Sequence, residues 1–105
     1  MIRHTVVFRL RHAPGSAAEG DFLRTAREQL TPIPGVERFE VLRQVGGQSE
    51  FRFSLSMEFA DAGVYAGYNE HPSHTAFVRD RWIPEVEEFL ELDFEAYDGA
   101  ESTTP

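Results

Sequence analysis

Phe51-Arg52-Phe53-Ser54-Leu55-Ser56-Met57-Glu58-Phe59 sets five apolar side chains against Arg52, Ser54, Ser56 and Glu58 with no break in the alternation. A period of two is the signature of a strand with one face on a core. The opposite face is polar but built of small or charge-balanced residues, so it can be solvated or meet a second sheet through hydrogen bonds. Upstream, Gly46-Gly47-Gln48 reads as a hairpin loop, which makes 36–43 and 50–59 two neighbouring strands. The same period opens the chain. Ile2, His4, Val6, Phe8 and Leu10 share one side of residues 2–10, with Arg3, Thr5, Val7 and Arg9 on the other, so one histidine sits within an apolar face.

Between the first two strands, Ala13-Pro14-Gly15 breaks the chain and Ser16-Ala17-Ala18-Glu19 has the form of a capping box. The spacing predicts a helix to about Leu30 that buries Phe22, Leu23, Ala26 and Leu30, ended by Thr31-Pro32-Ile33-Pro34-Gly35. After the third strand, Asp61 is placed to cap a short helix through about Tyr68. His71-Pro72 then opens another, with proline at the first helical position. This second helix carries Phe77, Val78, Trp82 and Ile83, and Pro84 marks a kink or break before a stretch from Glu85 to Phe89. Residues 90–96 read as the last strand, with Leu90, Leu92 and Phe94 on one face. The expected domain is residues 1–97. Residues 98–105 lack periodicity and read as a frayed, disordered C-terminal tail.

The order β-α-β-β-α-β defines an α+β, ferredoxin-like fold with a four-stranded antiparallel sheet. Its helices can cover only one face of the sheet, and 105 residues bury a modest core, so a second copy stacked sheet to sheet is the expected partner. The formal charge of −8, with every basic residue an arginine, argues against nucleic acid and anionic membranes as partners. Absence of cysteine excludes disulfides, thiolate metal sites and cysteine nucleophiles. The strand-like start and the lack of a long apolar run make the cytoplasm the expected compartment.

Three stretches carry a family resemblance: Met1-Ile2-Arg3-His4-Thr5-Val6-Val7-Phe8, the turn Ile33-Pro34-Gly35-Val36, and Tyr68-Asn69-Glu70-His71-Pro72-Ser73-His74-Thr75-Ala76-Phe77-Val78. Together, over residues 2–96, they resemble the stress-responsive A/B barrel domain (Dabb) family. The resemblance implies a dimeric α+β barrel in which ferredoxin-like units pair through their sheets. The family includes the plant olivetolic acid cyclase, which closes a polyketide by aldol condensation without metal or organic cofactor. Its first-strand histidine falls on His4, its tyrosine before the His-Pro motif on Tyr68, and its catalytic histidine on His74. Two of its other positions depart, falling at about Ala26 and Phe53 where the cyclase has tyrosine and histidine.

His74, Tyr68 and His4 are therefore the candidate catalytic residues: His74 as base, Tyr68 orienting it or stabilising an enolate, His4 holding a carbonyl. Phe22, Phe53, Phe77 and His71 are the candidate substrate-binding residues. The plainer alternative makes His71 and His74 helix caps, His4 a satisfied half-buried histidine, and the aromatic set simply core. His71-x-x-His74 has no evident third ligand, and His71 is better placed as a cap, so no metal and no cofactor are expected. His12 and the acidic run from Glu85 to Glu95 read as solvated. The leading expectation is a homodimer binding a small, largely apolar or aromatic molecule between helices and sheet. The alternatives are a cofactor-free polyketide cyclase-like enzyme using a His/Tyr pair, a non-catalytic structural or stress-related dimer and, on fold analogy alone, a cofactor-free monooxygenase.

Overall fold

Strong period-two patterns pair first in space: β1 (Ile2–Leu10) lies at the centre of the sheet against β3 (Phe53–Phe59), antiparallel, with His4 opposite Met57 and Phe8 opposite Phe53. In the computed structural model, which describes residues 1–97, β2 (Glu37–Arg43) flanks β3 and β4 (Val86–Glu95) flanks β1, giving the antiparallel order β2-β3-β1-β4. The expected tail, 98–105, lies outside the described residues. Helix α1 (Ala17–Leu30) links β1 to β2. The return from β3 to β4 runs through α2 (Ala62–Glu70), α3 (Pro72–Phe77), a π-helical turn (Val78–Trp82) and a last helical turn (Ile83–Glu85). This is the ferredoxin-like α+β fold expected from the sequence.

The caps form where the sequence places them. Ser16 Oγ accepts from the Glu19 amide, while the Glu19 carboxylate reaches back to the amide of Gly15. Asp61 accepts from the Val64 amide, and His71 Nδ1 accepts from the Ser73 amide just ahead of Pro72. Because side chains on paired residues share a face, His4, Val6, Phe8 and Leu10 point the same way as Phe53, Leu55, Met57 and Phe59. All eight are buried, and they meet Phe22, Ala26 and Leu30 of α1 and Phe77 of α3.

β3 starts at Phe53, short of the expected 50. Gln44 knits the loop by bonding Ser49 and the Phe51 carbonyl, which takes residues 49–52 out of the regular ladder. β4 departs more: it begins at Val86, ahead of the expected 90, so Val86 to Phe89 belong to the strand and only Glu85 of that stretch is helical. Leu10 pairs with Val86, the Arg11 amide donates to the Glu85 carbonyl, and the Arg9 guanidinium lies against Glu87 and Glu88. A register shift beside Arg9 and Leu10 conceals the alternation at this end.

The π turn carries an Ile83 amide to Val78 carbonyl bond just ahead of Pro84, whose ring would crowd the Asp80 carbonyl in a regular helix. Its effect is to seat Trp82 between Phe8 and Phe89, at ring-centre distances of 4.9 and 5.5 Å. Arg81 fastens this segment to α1 through Asp21 and Thr25, and also holds Glu85. His12, expected to be solvated, instead lies 2.6 Å from Glu85.

Gly35 shows how tightly the turn after α1 is set. Its φ is +91°, and a Cβ there would stand 2.2 Å from Val64 Cγ1 of α2. Gly35→Ala is expected to cost about 2–3 kcal/mol, backbone strain plus overpacking, whereas Gly15→Ala, at a similar positive φ with open space around it, should lose only about 1 kcal/mol. Urea midpoints at constant m-value read the difference.

Candidate functional site

A cavity of about 370 Å³ lies between the helices and the sheet. Its floor is the helix-facing side of β1 and β3, at His4, Val6, Leu55 and Met57. Leu30, Tyr68, His74, Phe77 and Trp82 close it from the helices, and Phe89 and Glu91 of β4 form the remaining wall. Volume and apolar walls suit a small organic molecule.

His4 is the buried polar residue of the floor, 5% exposed. Its Nδ1 lies 2.6 Å from Asp93 Oδ1, directly across the β1/β4 ladder, and the Tyr65 hydroxyl donates to both Asp93 oxygens at 3.0 and 3.1 Å. A carboxylate only accepts, so His4 Nδ1 carries the proton. Burial, then Asp93, pushes the Tyr65 ionisation well above the usual phenol range, and the hydroxyl stays protonated.

His74 donates from Nδ1 to the Asn69 carbonyl at 3.0 Å, which leaves Nε2 as the ring's unprotonated nitrogen. Burial lowers its pKa from the ordinary imidazole value, so the neutral base is the form present at pH 7. Tyr68 packs on it with ring centres 4.5 Å apart. Tyr68 is 2% exposed, and among the described residues its hydroxyl has no protein hydrogen-bond partner. Burial is the main cause that raises its ionisation, followed by Tyr65 and Glu91. A phenol hydroxyl on the cavity wall beside a neutral imidazole can donate to a ligand oxygen while the imidazole takes a proton.

Of the residues singled out from the sequence, the fold brings His4, Tyr68, His74 and Phe77 to this one cavity. Three others lie elsewhere. Phe22 sits in the core between Phe8, Phe77 and Trp82, and Phe53 packs on Phe8 and borders a smaller space near Phe51. His71 spends Nδ1 on the cap of α3.

The sequence reading missed Tyr65, Glu91 and Asp93. Tyr65 precedes Tyr68 by three residues, a spacing that puts both on one helix face. Glu91, Asp93 and Glu95 alternate with Leu90, Leu92 and Phe94 and are exposed, as expected, but Asp93 and Glu91 lie on the helix-facing side, where Asp93 meets His4 and Glu91 borders the cavity. Period two on the polar side of that strand was the available signal.

The family model described as Stress responsive A/B Barrel Domain matches residues 2–96. A Dabb family protein of ferredoxin-like fold from Mesorhizobium loti is 54% identical, the match covering 91% of this chain and 96% of that one with a TM-score of 0.90. A dimeric ferredoxin-like protein of unknown function from Thermobifida fusca is 17% identical, covering 90% of each chain, with a TM-score of 0.76. The hydroxynitrile lyase of Passiflora edulis is 14% identical over 99% of this chain and 96% of that one, with a TM-score of 0.79. The latter two likenesses are of fold alone. No curated protein matches. Among the described residues, no helix is long and apolar enough to cross a membrane.

Proposed function

The chain belongs to the stress-responsive A/B barrel domain family, and from that membership we propose that it works as a homodimer, each subunit binding a small, largely apolar molecule in the cavity between helices and sheet. The observation that carries the binding reading is an apolar space of about 370 Å³ between helices and sheet, with the otherwise buried Tyr68 on its wall and the His74 imidazole beside it. A structural dimer with its interior filled by its own side chains has no reason to keep such a space. Dimerisation through the sheet is supported by Leu90, Leu92 and Phe94, which lie 49%, 39% and 53% exposed on the face that no helix covers.

Thermal unfolding against phenolic, polyketide-like and fatty-acyl compounds tests this. A ligand at a hundred times its dissociation constant adds about 2.7 kcal/mol, which is about 10 °C or more for a chain of this size. Tyr68→Phe is expected to weaken the responding compound about tenfold, the loss of one hydrogen bond to a desolvated partner. A panel that leaves the unfolding temperature of the native protein unmoved speaks for the structural dimer, and an unchanged affinity in Tyr68→Phe means that the ligand does not use this hydroxyl.

A second reading, favoured by the neutral His74 imidazole packed against Tyr68, is cofactor-free proton transfer of the polyketide-cyclase kind. In it His74 Nε2 removes a proton next to a carbonyl, Tyr68 donates to the oxygen that gains charge, and His4, held by Asp93, steadies the substrate. His74→Ala should then lower kcat by about 10²–10⁴ with the unfolding temperature preserved. Turnover that survives the substitution rules this chemistry out.

A further inference from the structure

Among the described residues, Glu91 is the one acidic residue on the cavity wall. It stands opposite Val6 on the helix-facing side of β4, and among the described residues it pairs with no arginine or histidine. The arginines nearest in the sheet point to the other face, where Arg3 holds Glu58 and Arg9 holds Glu50 and Glu88. Arg81 is taken by Asp21 and Glu85. Among the described residues, no arginine lines the cavity.

The other polar groups add no positive charge. His4 faces Asp93 at 2.6 Å, so that pair sums to zero at most, and His74 is held neutral by burial. The polar end is rich in acceptors: the Glu91 carboxylate, His74 Nε2, and the Tyr68 oxygen, which can also donate. Glu91 is exposed, so its charge stands at the cavity's open edge, where it attracts donors and cations and repels anions.

We infer that the cavity selects an apolar molecule with a hydrogen-bond-donating head, an amine or alcohol, over the corresponding carboxylate, and that Glu91 sets this selectivity. The inference rests on the cavity being a binding site, as proposed above. A like charge within about 6 Å at such a wall lowers affinity on the order of tenfold, and an opposite charge raises it by a similar factor.

One alkyl chain with three heads isolates the effect: octylamine, 1-octanol and octanoate, titrated at pH 7 and low salt. Trp82, the chain's single tryptophan, lines the cavity, so its emission reports occupancy. The native protein is expected to bind octylamine tightest and octanoate at least about tenfold more weakly. Glu91→Gln should shrink that gap to less than about threefold. Glu28→Gln, the same charge change on the exposed surface of α1, should leave it intact and so separates the local charge from the overall one. Octanoate binding as well as the amine, or a gap unchanged in Glu91→Gln, overturns the inference while leaving the cavity as a site. No response of Trp82 to any of the three, in either protein, overturns the binding reading and the inference with it.

Discussion

Phe22→Ala is expected to destabilise the fold by about 3–5 kcal/mol, a large share of the 5–15 kcal/mol that holds a domain of this kind together. The ring is fully buried and touches both layers: its centre lies 5.9 Å from Phe8 on the sheet, 5.6 Å from Phe77 on α3 and 6.1 Å from Trp82 on the π turn, with the Arg81 guanidinium 5.9 Å away. Truncation therefore opens a hole at the point where α1, the second helical region and β1 meet, and removes aromatic contacts on several sides. Phe77→Ala makes an instructive comparison. Phe77 borders space that is already empty, so its removal enlarges a cavity and loses fewer contacts; a cost nearer 2–3 kcal/mol follows. Chemical unfolding of the two variants tests the ranking, and an equal or reversed order would mean that the space between helices and sheet collapses in solution.

The same contrast explains which parts of the molecule were legible in the sequence. Phe22 was read as buried from its place on the α1 stripe, and that assignment holds. Reading it also as part of a binding surface fails, because helical periodicity gives the inward direction and nothing about which inward residues meet a void. His4, Tyr68 and His74 converge as the family resemblance implied, since strand alternation and the His-Pro start of α3 fix their directions. Asp93 and Glu91 escaped for a different reason. Their strand is read from Leu90, Leu92 and Phe94, whose apolar face looks like a core face, while the acids between them look solvated. The acids are indeed exposed, but the pairing of β4 with β1 puts them on the side of the site, and that is a long-range fact: Asp93 sits opposite His4 and Glu91 opposite Val6. The early start of β4 at Val86 is long-range too, drawn by Leu10, Arg9 and Arg11 at the far end of β1.

Leu92→Glu is expected to raise the dimer dissociation constant by at least about a hundredfold, turning a species of two 11.9 kDa chains into monomer at micromolar concentration. Leu92 lies opposite Thr5 on the uncovered face, and Leu90, opposite Val7, and Phe94, opposite Arg3, extend the same row. A carboxylate there would be buried against the partner sheet while Arg3 and Arg9 on the same face are already held by Glu58, Glu50 and Glu88, which costs several kcal/mol. Val45→Glu, the same kind of change at a loop position 96% exposed, should leave the mass unchanged in sedimentation equilibrium. If Leu92→Glu remains a dimer of native affinity, the sheets do not form the interface. The variant also tests a property of β4 as a whole, since this strand serves two surfaces by alternation. Leu90, Leu92 and Phe94 lie on the face that no helix covers, and Phe89, Glu91 and Asp93 lie on the helix-facing side, where Phe89 and Glu91 line the cavity. Each chain builds its own cavity wall, so a folded Leu92→Glu monomer should still bind octylamine within about threefold of the native affinity. A monomer that folds but has lost the ligand would mean that pairing of the sheets is what holds β4, and with it Glu91 and the Asp93–His4 bond, in the position the site needs.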